Sequence, residues 1–279
     1  SYASRKNVLL ISLCNTGPLF LRNQIVTIHD IAYKICPEWF SKSFVFFYNF
    51  LIPQLLKVSK AVITVSNASK KELVEKLNIS EEKINVVYNA VAPIFLDGDI
   101  SRMALSKIGA ESNYILTVSS HHPRKNFKRL VQAFRKIEDK NLKLFIIGNT
   151  NKYFNSDVQA LDDNIFYLND VSDKELVSYY KFAKLFVFPS LYEGFGIPII
   201  EALSQNTKVC VSDIPVFREI CGEDAIYFDP YDIDDIANKI IISFESHFKS
   251  SYKELSKFSW EESALKILSI IKQVQIEIN

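Results

Sequence analysis

Acidic residues and glycines that could bind a phosphorylated ligand are concentrated in one stretch, Glu193 to Glu201 (EGFGIPIIE). The largely apolar residues 184–190 before it predict a β-strand, and Pro198 is typical of the first turn of a helix. Between them, Gly194 and Gly196 allow the backbone to approach a ligand without an intervening Cβ atom. The free amide groups and the positive end of the helix dipole then favour a bound phosphate.

The two glutamates indicate that this ligand also carries hydroxyl groups. Glu193 precedes the helix, and Glu201 lies about one turn inside it. Carboxylates repel phosphate, but they accept hydrogen bonds from hydroxyls, and a sugar nucleotide offers both groups. The alternative is structural: a solvated loop glutamate, and a helical glutamate that complements the dipole. The spacing alone leaves both interpretations open.

This stretch resembles the Glu-x7-Glu motif of the retaining nucleotide-sugar glycosyltransferases of GT-B fold, specifically glycosyltransferase family 4. The similarity includes the Phe-Gly pair between the acids and the proline before the helix. It implies that Glu193 orients hydroxyls of the donor sugar and that Glu201 contacts the ribose. It also implies retention of the anomeric configuration, with no metal, no cofactor and no covalent nucleophile.

A second group of candidate residues lies in 119–126 (SSHHPRKN), between a predicted strand and a predicted helix. The resemblance implies that Lys125 binds the donor phosphates. Family members often have an arginine six residues before that lysine, where this chain has Ser119, and Arg124 could supply the missing charge. Arg124, Lys125 and the amides of the turn from Phe195 to Ile197 would then neutralise the diphosphate as it leaves. Solvated basic residues beside a helix are the structural alternative.

Three histidines are near the predicted ligand sites. His29 ends a predicted strand, and its Thr-Ile-His-Asp context resembles the first-domain histidine that contacts the donor sugar in the family. A purely structural role for His29 is the alternative. His121 and His122 are adjacent, so an extended segment would direct at most one of them into the site.

Short apolar strands alternate with helical patterns along the chain, which predicts an α/β fold with parallel, doubly wound sheets. The resemblance implies the GT-B arrangement of two Rossmann-like domains that face each other across a cleft. We expect an N-terminal domain over 1–91, a nucleotide-sugar-binding domain over 92–258 and a terminal helix, 259–279, that crosses back to the first domain. The first domain is expected to be incomplete, since no glycine-rich loop precedes Lys6.

The predicted elements are assigned from periodicity and capping patterns. Strands are expected at 6–13, 24–29, 60–65, 83–88, 114–120, 143–148, 164–168, 184–189, 207–211 and 225–228. Helices are expected at 38–59, 103–108, 127–137, 173–181, 198–204 and 233–248, from a capping box at Ser69 and Glu72 to residue 77, and from Ser259 to about Ile276. A further capping box is expected at Ser172 and Glu175.

Composition excludes several classes of function. The net charge of +1 gives no electrostatic case for binding nucleic acid. The four cysteines have neither metal-ligand spacing nor the density of a disulfide framework, which favours a reduced, cytoplasmic setting. The longest apolar run, Phe44 to Leu56, is too short to span a bilayer.

The triplet Asp97-Gly-Asp99 could indicate a metal-dependent glycosyltransferase of another fold, but it follows no predicted strand, and an acidic linker explains it better.

The aromatic helix from Trp39 to Leu56, with Lys42, Lys57 and Lys60 at its edges, suggests where an acceptor could be reached. Core packing explains it, but it could also dock on the cytoplasmic face of the inner membrane. This region resembles bacterial surface-polysaccharide (O-antigen) transferases, whose saccharide acceptors are linked to undecaprenyl diphosphate.

The expected function is therefore transfer of a hexose or N-acetylhexosamine from a nucleotide-sugar donor, with UDP favoured over GDP, to a lipid-diphosphate-linked saccharide. Two alternatives remain. One is a sugar-nucleotide epimerase or hydrolase of the same fold, and the other is a nucleotide-sugar-binding protein without catalytic activity.

Overall fold

The computed structural model describes residues 8–97, 113–148, 162–245 and 255–276, which belong to two compact units. Unit 1 comprises Ser1–Ala90, Glu193–Phe195 and Lys257–Asn279, and unit 2 comprises Val91–Tyr192 and Gly196–Ser256. The segment Glu193–Phe195, expected in the second domain, groups with unit 1. The glycine-rich stretch therefore passes from one unit to the other between Phe195 and Gly196.

Unit 1 contains a four-stranded parallel sheet whose strand order, β1-β2-β3-β4, follows the chain. Its strands are β1 (Leu10–Ser12), β2 (Gln24–Thr27), β3 (Ala61–Thr64) and β4 (Ile84–Val86). All residues of β2 and β3 are buried, as expected for strands that are covered on both faces. The predicted strands are thus confirmed with shorter bounds, and residues 6 and 7 of the first prediction lie outside the described ranges.

The helices of unit 1 are α1 (Ala32–Ile35), α2 (Lys42–Val58), α3 (Asn67–Leu77) and α10 (Trp260–Ile276). The predicted helix 38–59 begins later than expected, because Pro37–Trp39 form a separate 3₁₀ turn and Phe40 is extended. Helix α2 starts at its N-cap Ser41 and continues through Pro53. Its carboxyl half packs on the sheet, while α10 covers the other side of β2 and β3 through Ile270 and Val274.

The start of α3 corrects one prediction. Ser66, and not Ser69, is the N-cap residue, and its Oγ accepts a hydrogen bond of 3.0 Å from the Ser69 amide. The helix therefore begins at Asn67, three residues before the start implied by a capping box at Ser69 and Glu72. A serine pair at this spacing fits either register, so the sequence alone does not identify the cap.

Unit 2 contains a six-stranded parallel sheet with the order β10-β9-β8-β5-β6-β7. Its strands are β5 (Tyr114–Val118), β6 (Lys143–Ile147), β7 (Ile165–Leu168), β8 (Leu185–Phe188), β9 (Val209–Ser212) and β10 (Ile226–Phe228). Its helices are α4 (Ile94–Asp97), α5 (Phe127–Phe134), α6 (Asp173–Phe182), α7 (Ile197–Ser204), α8 (Pro215–Cys221) and α9 (Ile233–Glu245). The doubly wound α/β fold is confirmed, whereas α1, α4 and α8 were not predicted.

Two of the predicted helix caps are present. Ser172 and Glu175 form a complete capping box at the start of α6. Ser259 Oγ accepts a hydrogen bond of 3.1 Å from the Glu262 amide at the start of α10. The helix expected at 103–108 lies outside the described residues, as do Gly98 and Asp99 of the acidic triplet.

Across the described residues, no helix has both the length and the apolar character that crossing a membrane requires. The aromatic helix α2 has 17 residues and rests on the core of unit 1 along only part of its surface.

The two faces of α2 are expected to respond differently to truncation. Leu55→Ala removes a fully buried side chain and should lower the free energy of unfolding by about 2–5 kcal/mol. Phe50→Ala, the matched change on a side chain that is 59% exposed, should change it by less than about 0.5 kcal/mol. Denaturant unfolding checks both values, and equal losses would show that the buried face is wrongly assigned.

Candidate functional site

The strand order of unit 2 reverses between β5 and β8. From β5 the chain adds β6 and β7 on one side, and from β8 it adds β9 and β10 on the other. The loops that follow β5 and β8 therefore diverge, and such a reversal leaves a crevice at the carboxyl ends of the strands. The Leu191 amide donates a 2.7 Å hydrogen bond to the Arg124 carbonyl and joins the two loops. The candidate residues that follow these two strands are thus brought together.

Lys125 lies in this crevice region in a short 3₁₀ helix, Pro123–Lys125. It is 7% exposed, and its Nζ atom lies 5.3 Å from the centroid of the Phe188 ring at the end of β8. A cation over an aromatic face is stabilised by the ring quadrupole. Arg124, its neighbour, is half-buried. Both cationic residues therefore lie on the loop that follows β5.

Asn126 fixes the turn that carries these cations and was missed by the sequence analysis. Its backbone is left-handed, with φ of 59°. Its Nδ2 donates to the Pro230 carbonyl at 2.7 Å, and its Oδ1 accepts from Arg129 at 2.9 Å. The signal was present in the sequence, since asparagine tolerates this conformation better than most residues do.

Ser119 lies at the carboxyl end of β5 beside Gly148, which follows β6. The Ser119 amide donates to the Ile147 carbonyl at 2.9 Å. A Cβ atom at Gly148 would lie 1.8 Å from the Ser119 carbonyl oxygen, and the φ of Gly148 is +156°. Only glycine fits there. Ser119 is therefore held at the edge of the same crevice region as the cations.

The two adjacent histidines take different positions. His121 is buried, with Phe127 edge-on and Tyr167 tilted against its ring. Burial lowers its pKa, so its ring is neutral near pH 7 and belongs to the core. His122 caps the 3₁₀ turn, and its Nδ1 accepts a hydrogen bond from the Arg124 amide.

Helix α7 begins with Gly196 as its N-cap, followed by Ile197 and Pro198 in the first turn. The φ of Gly196 is +147°, and a Cβ atom there would lie 3.2 Å from side-chain atoms of Ile199 and Phe217. Backbone conformation and packing in the core therefore require this glycine. The approach of a ligand, for which the sequence selected this glycine, is not needed to explain it.

Glu201 lies on α7, one turn from its start, and is held by Tyr180 of α6. Its Oε2 accepts a 2.9 Å hydrogen bond from the Tyr180 hydroxyl, which is fully buried. Burial raises the pKa of Glu201 to about 7; the bond from Tyr180 opposes this shift, and the charge of Asp173 adds to it. Glu201 therefore titrates in the physiological range. No local sequence pattern could have identified Tyr180, because the contact is tertiary.

In unit 1, His29 lies two residues beyond the end of β2, after the buried Ile28. Its amide donates to Asn15 Oδ1 at 2.8 Å, and its Nε2 lies 3.1 Å from the Leu13 carbonyl oxygen. The ring is half-buried. These contacts fix both the backbone and the imidazole, so His29 has a defined orientation.

Gly194 packs directly against His29. A Cβ atom at Gly194 would lie 2.6 Å from the His29 carbonyl oxygen and 3.0 Å from Asp30 Cβ, so any larger residue would displace the segment. Glu193 precedes this contact and is half-buried. The ring of Phe195 is buried and packs on the rings of Tyr88 and Phe258.

The candidate residues thus form two groups, each within one unit. Unit 1 holds His29, Glu193, Gly194 and Phe195, and unit 2 holds Ser119, Arg124, Lys125, Gly196, Ile197 and Glu201. In the part of the chain that the structure describes, no cluster of three or more histidine, cysteine or acidic side chains could hold a metal ion.

Comparison with known families agrees with this architecture. The family described as glycosyl transferases group 1 matches residues 103–259, more than half of the chain. The chain belongs to this family. The first part of the chain, residues 17–93, matches a second family, glycosyltransferase family 4.

Several known proteins are similar in sequence. The O-antigen chain mannosyltransferase RfbU of Salmonella typhimurium is 34% identical over 80% of this chain, which covers 61% of that protein. The O-antigen chain mannosyltransferase B of Escherichia coli is 28% identical over 92% of this chain and 73% of its own length. A Campylobacter jejuni N-acetylgalactosaminyltransferase that acts on a diphospho-undecaprenol-linked saccharide is 28% identical over 63% of this chain and 47% of its own.

Solved structures share the fold. A glycosyltransferase from Rickettsia africae has a TM-score of 0.72 at 19% identity and covers 98% of this chain and 79% of its own. WaaG, a glycosyltransferase involved in lipopolysaccharide biosynthesis, has a TM-score of 0.75 at 13% identity and covers 95% of this chain and 79% of its own. The fold is therefore that of the GT-B glycosyltransferases.

The pKa of Glu201 gives a pH-dependent prediction. If its carboxylate accepts ribose hydroxyls, affinity for a nucleotide sugar should rise about 5- to 10-fold between pH 6 and pH 8, with a midpoint of about 7. A nucleotide sugar suits this titration, because its diphosphate is esterified at both ends and does not itself ionise in this range.

Tyr180→Phe removes a hydrogen bond that stabilises the carboxylate, so the midpoint should move upward. Tyr114→Phe, which removes another buried hydroxyl that donates to the Tyr179 carbonyl, is the control and should leave the midpoint in place. An affinity that does not vary with pH would exclude Glu201 from the binding site.

Proposed function

We propose that this chain transfers a glycosyl group from a nucleotide diphosphate sugar to a saccharide carried on a lipid diphosphate, in O-antigen synthesis and with retention of anomeric configuration. One observation carries the proposal: Lys125 and Glu201 follow the two strands at which the sheet order reverses. Unit 2 matches the glycosyl transferases group 1 family, and a cation and a carboxylate at the ends of these two strands suit a ligand with both phosphates and hydroxyls.

On the donor side, Lys125, Arg124 and the first amides of α7 neutralise the diphosphate. These groups act most strongly when the sugar–phosphate bond breaks, since negative charge on the leaving oxygen then increases. Glu201 accepts hydrogen bonds from the ribose. Ser119 lines the end of β5 beside the phosphates.

On the sugar side, Glu193 and His29 orient the transferred sugar. The acceptor hydroxyl attacks on the face from which the diphosphate leaves, and its proton passes to a phosphate oxygen of the leaving group. In this mechanism the side chains position the reactants and stabilise charge, and none of them forms a covalent bond to the sugar.

The names of the similar proteins narrow the choice of donor sugar. The sequence favoured a UDP-sugar, but the first two relatives are mannosyltransferases by name, so mannose is the sugar that we propose and GDP-mannose is the first donor to test. UDP-hexoses and UDP-N-acetylhexosamines are the alternatives. The relative that acts on a diphospho-undecaprenol-linked saccharide supports an acceptor of that kind.

Calorimetric titration with GDP, UDP and their sugars tests the donor site. We expect one nucleotide to bind, and Lys125→Ala and Glu201→Ala to weaken it at least about tenfold. Lys143→Ala, at the opposite end of the strands, is the control for loss of one positive charge and should bind as the wild type does. Nucleotide binding that neither variant weakens would contradict the proposed site.

Turnover of labelled GDP-mannose with a lipid-diphosphate-linked saccharide then separates the three candidate functions. Transfer supports the proposal. Release of free mannose, or its conversion to an epimer, would indicate the alternative enzyme. Binding without turnover would indicate a protein that only binds nucleotide sugars.

The amino half of α2 is a second part of the proposal, because it exposes aromatic side chains to solvent. Phe46 is 79% exposed, Phe47 is 52% exposed and Phe50 is 59% exposed. The helix contains no acidic residue, and Lys42 and Lys57 lie near its ends. Exposed aromatic rings with flanking lysines suit the interface of an anionic membrane. We infer that this face contacts the cytoplasmic leaflet of the inner membrane, where the acceptor lies.

Co-sedimentation with vesicles tests this contact. Vesicles rich in phosphatidylglycerol should bind the wild type, and the double variant Phe46→Ser/Phe50→Ser should bind at least about tenfold less. Leu265→Ser/Leu268→Ser, on the exposed face of α10, is the matched control and should bind as the wild type does. Equal loss in both double variants, or no binding by the wild type, would refute a contact through α2.

A further inference from the structure

We propose that Ser66 and Ser69 are positioning residues for Glu193: together they hold the Glu193–Gly194 segment against His29. The inference rests on the proposed function, because it concerns the part of the site that orients the donor sugar. Neither serine touches the sugar in this account. Both act through the backbone of Gly194.

The contact consists of two hydroxyl donors on one carbonyl oxygen. Ser66 Oγ donates to the Gly194 carbonyl at 2.7 Å, and Ser69 Oγ donates to the same oxygen at 3.2 Å. Ser66 is fully buried, and Ser69 is 2% exposed. Since Ser66 Oγ also accepts a hydrogen bond from the Ser69 amide, its single proton is directed to Gly194. The first turn of α3 therefore holds two hydroxyl groups in place, and both donate hydrogen bonds to the Gly194 carbonyl.

Two further contacts hold the same segment. The backbone of Gly194 lies so close to the His29 carbonyl that a Cβ atom would approach its oxygen to 2.6 Å. The ring of Phe195 packs on Tyr88 and Phe258, with centroid distances of 6.0 and 5.5 Å. The residue that follows Glu193 is thus fixed through its carbonyl and its Cα, and the next residue through its side chain.

This arrangement predicts which kinetic constant depends on the serines. A carboxylate that orients reacting groups must be held to within about 0.5 Å, so a loosened segment lowers kcat. The proposed diphosphate and ribose contacts come from Lys125 and Glu201, which belong to unit 2, whereas both serines belong to unit 1. Affinity for the nucleotide should therefore remain unchanged.

Ser69→Ala is the sharpest variant. Ser66 still caps α3, and alanine favours a helix at this position, so the fold should be retained. We expect kcat with GDP-mannose to fall about 5- to 10-fold and Kd for GDP to stay within about twofold. In the double variant Ser66→Ala/Ser69→Ala, kcat should fall further, to about 1% of the wild-type value. Ser66→Thr keeps the hydroxyl and the cap, and should retain most of the activity.

Ser172→Ala is the matched control, because it removes an N-cap serine from α6 without affecting Gly194. It should leave kcat unchanged. Wild-type kcat in the Ser66/Ser69 double variant, or an equal loss in Ser172→Ala, would overturn the inference.

Hydrogen exchange provides a readout that does not require turnover. Amides of Gly194, Phe195 and Gly196 should exchange faster in the double variant than in the wild type or in Ser172→Ala. If the wild type transfers no sugar, the proposed function fails, while exchange still decides whether the serines hold the segment. Unchanged exchange in the double variant would refute the positioning role even in an active enzyme.

Discussion

The hydrogen bond from the Leu191 amide to the Arg124 carbonyl joins the loops that follow β5 and β8. These strands are neighbours in the sheet although β6 and β7 separate them in the chain, and the strand order reverses between them. The reversal makes the two loops diverge, and the hydrogen bond sets how close they remain. The positions of Lys125, on one loop, and of α7, which follows the other, both depend on this constraint.

Glu201 combines a fixed hydrogen-bond donor with a raised pKa, although its side chain is only half-buried. Burial raises the pKa of Glu201 to about 7, and the hydrogen bond donated by the Tyr180 hydroxyl to the carboxylate opposes this shift. The carboxyl is thus directed by a fixed donor and carries a fractional charge near neutral pH. This combination suits a group that binds ribose hydroxyls a short distance from negative charge.

Local patterns predicted the alternation of strands and helices, the capping box at Ser172 and the helix that begins after Gly196. These features depend on residues close together in the sequence. The cap of α3 was assigned to Ser69 because a Ser-x-x-Ser pair is compatible with two registers, and only packing selects Ser66. Tyr180 was missed for a related reason, since its partner Glu201 is distant in the chain.

The contacts that require the two glycines are likewise tertiary and could not be predicted from local sequence patterns. Gly194 was selected for the approach of a ligand, but the atom that requires a glycine there is the His29 carbonyl oxygen, which no sequence pattern indicates. Gly196 is required by its positive φ and by Phe217, a residue of the unpredicted helix α8. Sequence thus predicted candidate residues and a chemistry for them, whereas tertiary contacts explain why the fold needs each of these glycines.

The central claim, that the donor diphosphate binds at the carboxyl ends of β5 and β8, is tested most directly by amide chemical-shift mapping. During titration of deuterated, ¹⁵N-labelled protein with GDP-mannose, the largest shifts should occur at the amides of Arg124, Lys125, Leu191 and Ile197. The amides of Lys143 and Asn164, at the opposite ends of the strands, should not move. Largest shifts at that opposite edge, or saturable binding that leaves the β5 and β8 loops unperturbed, would contradict the account.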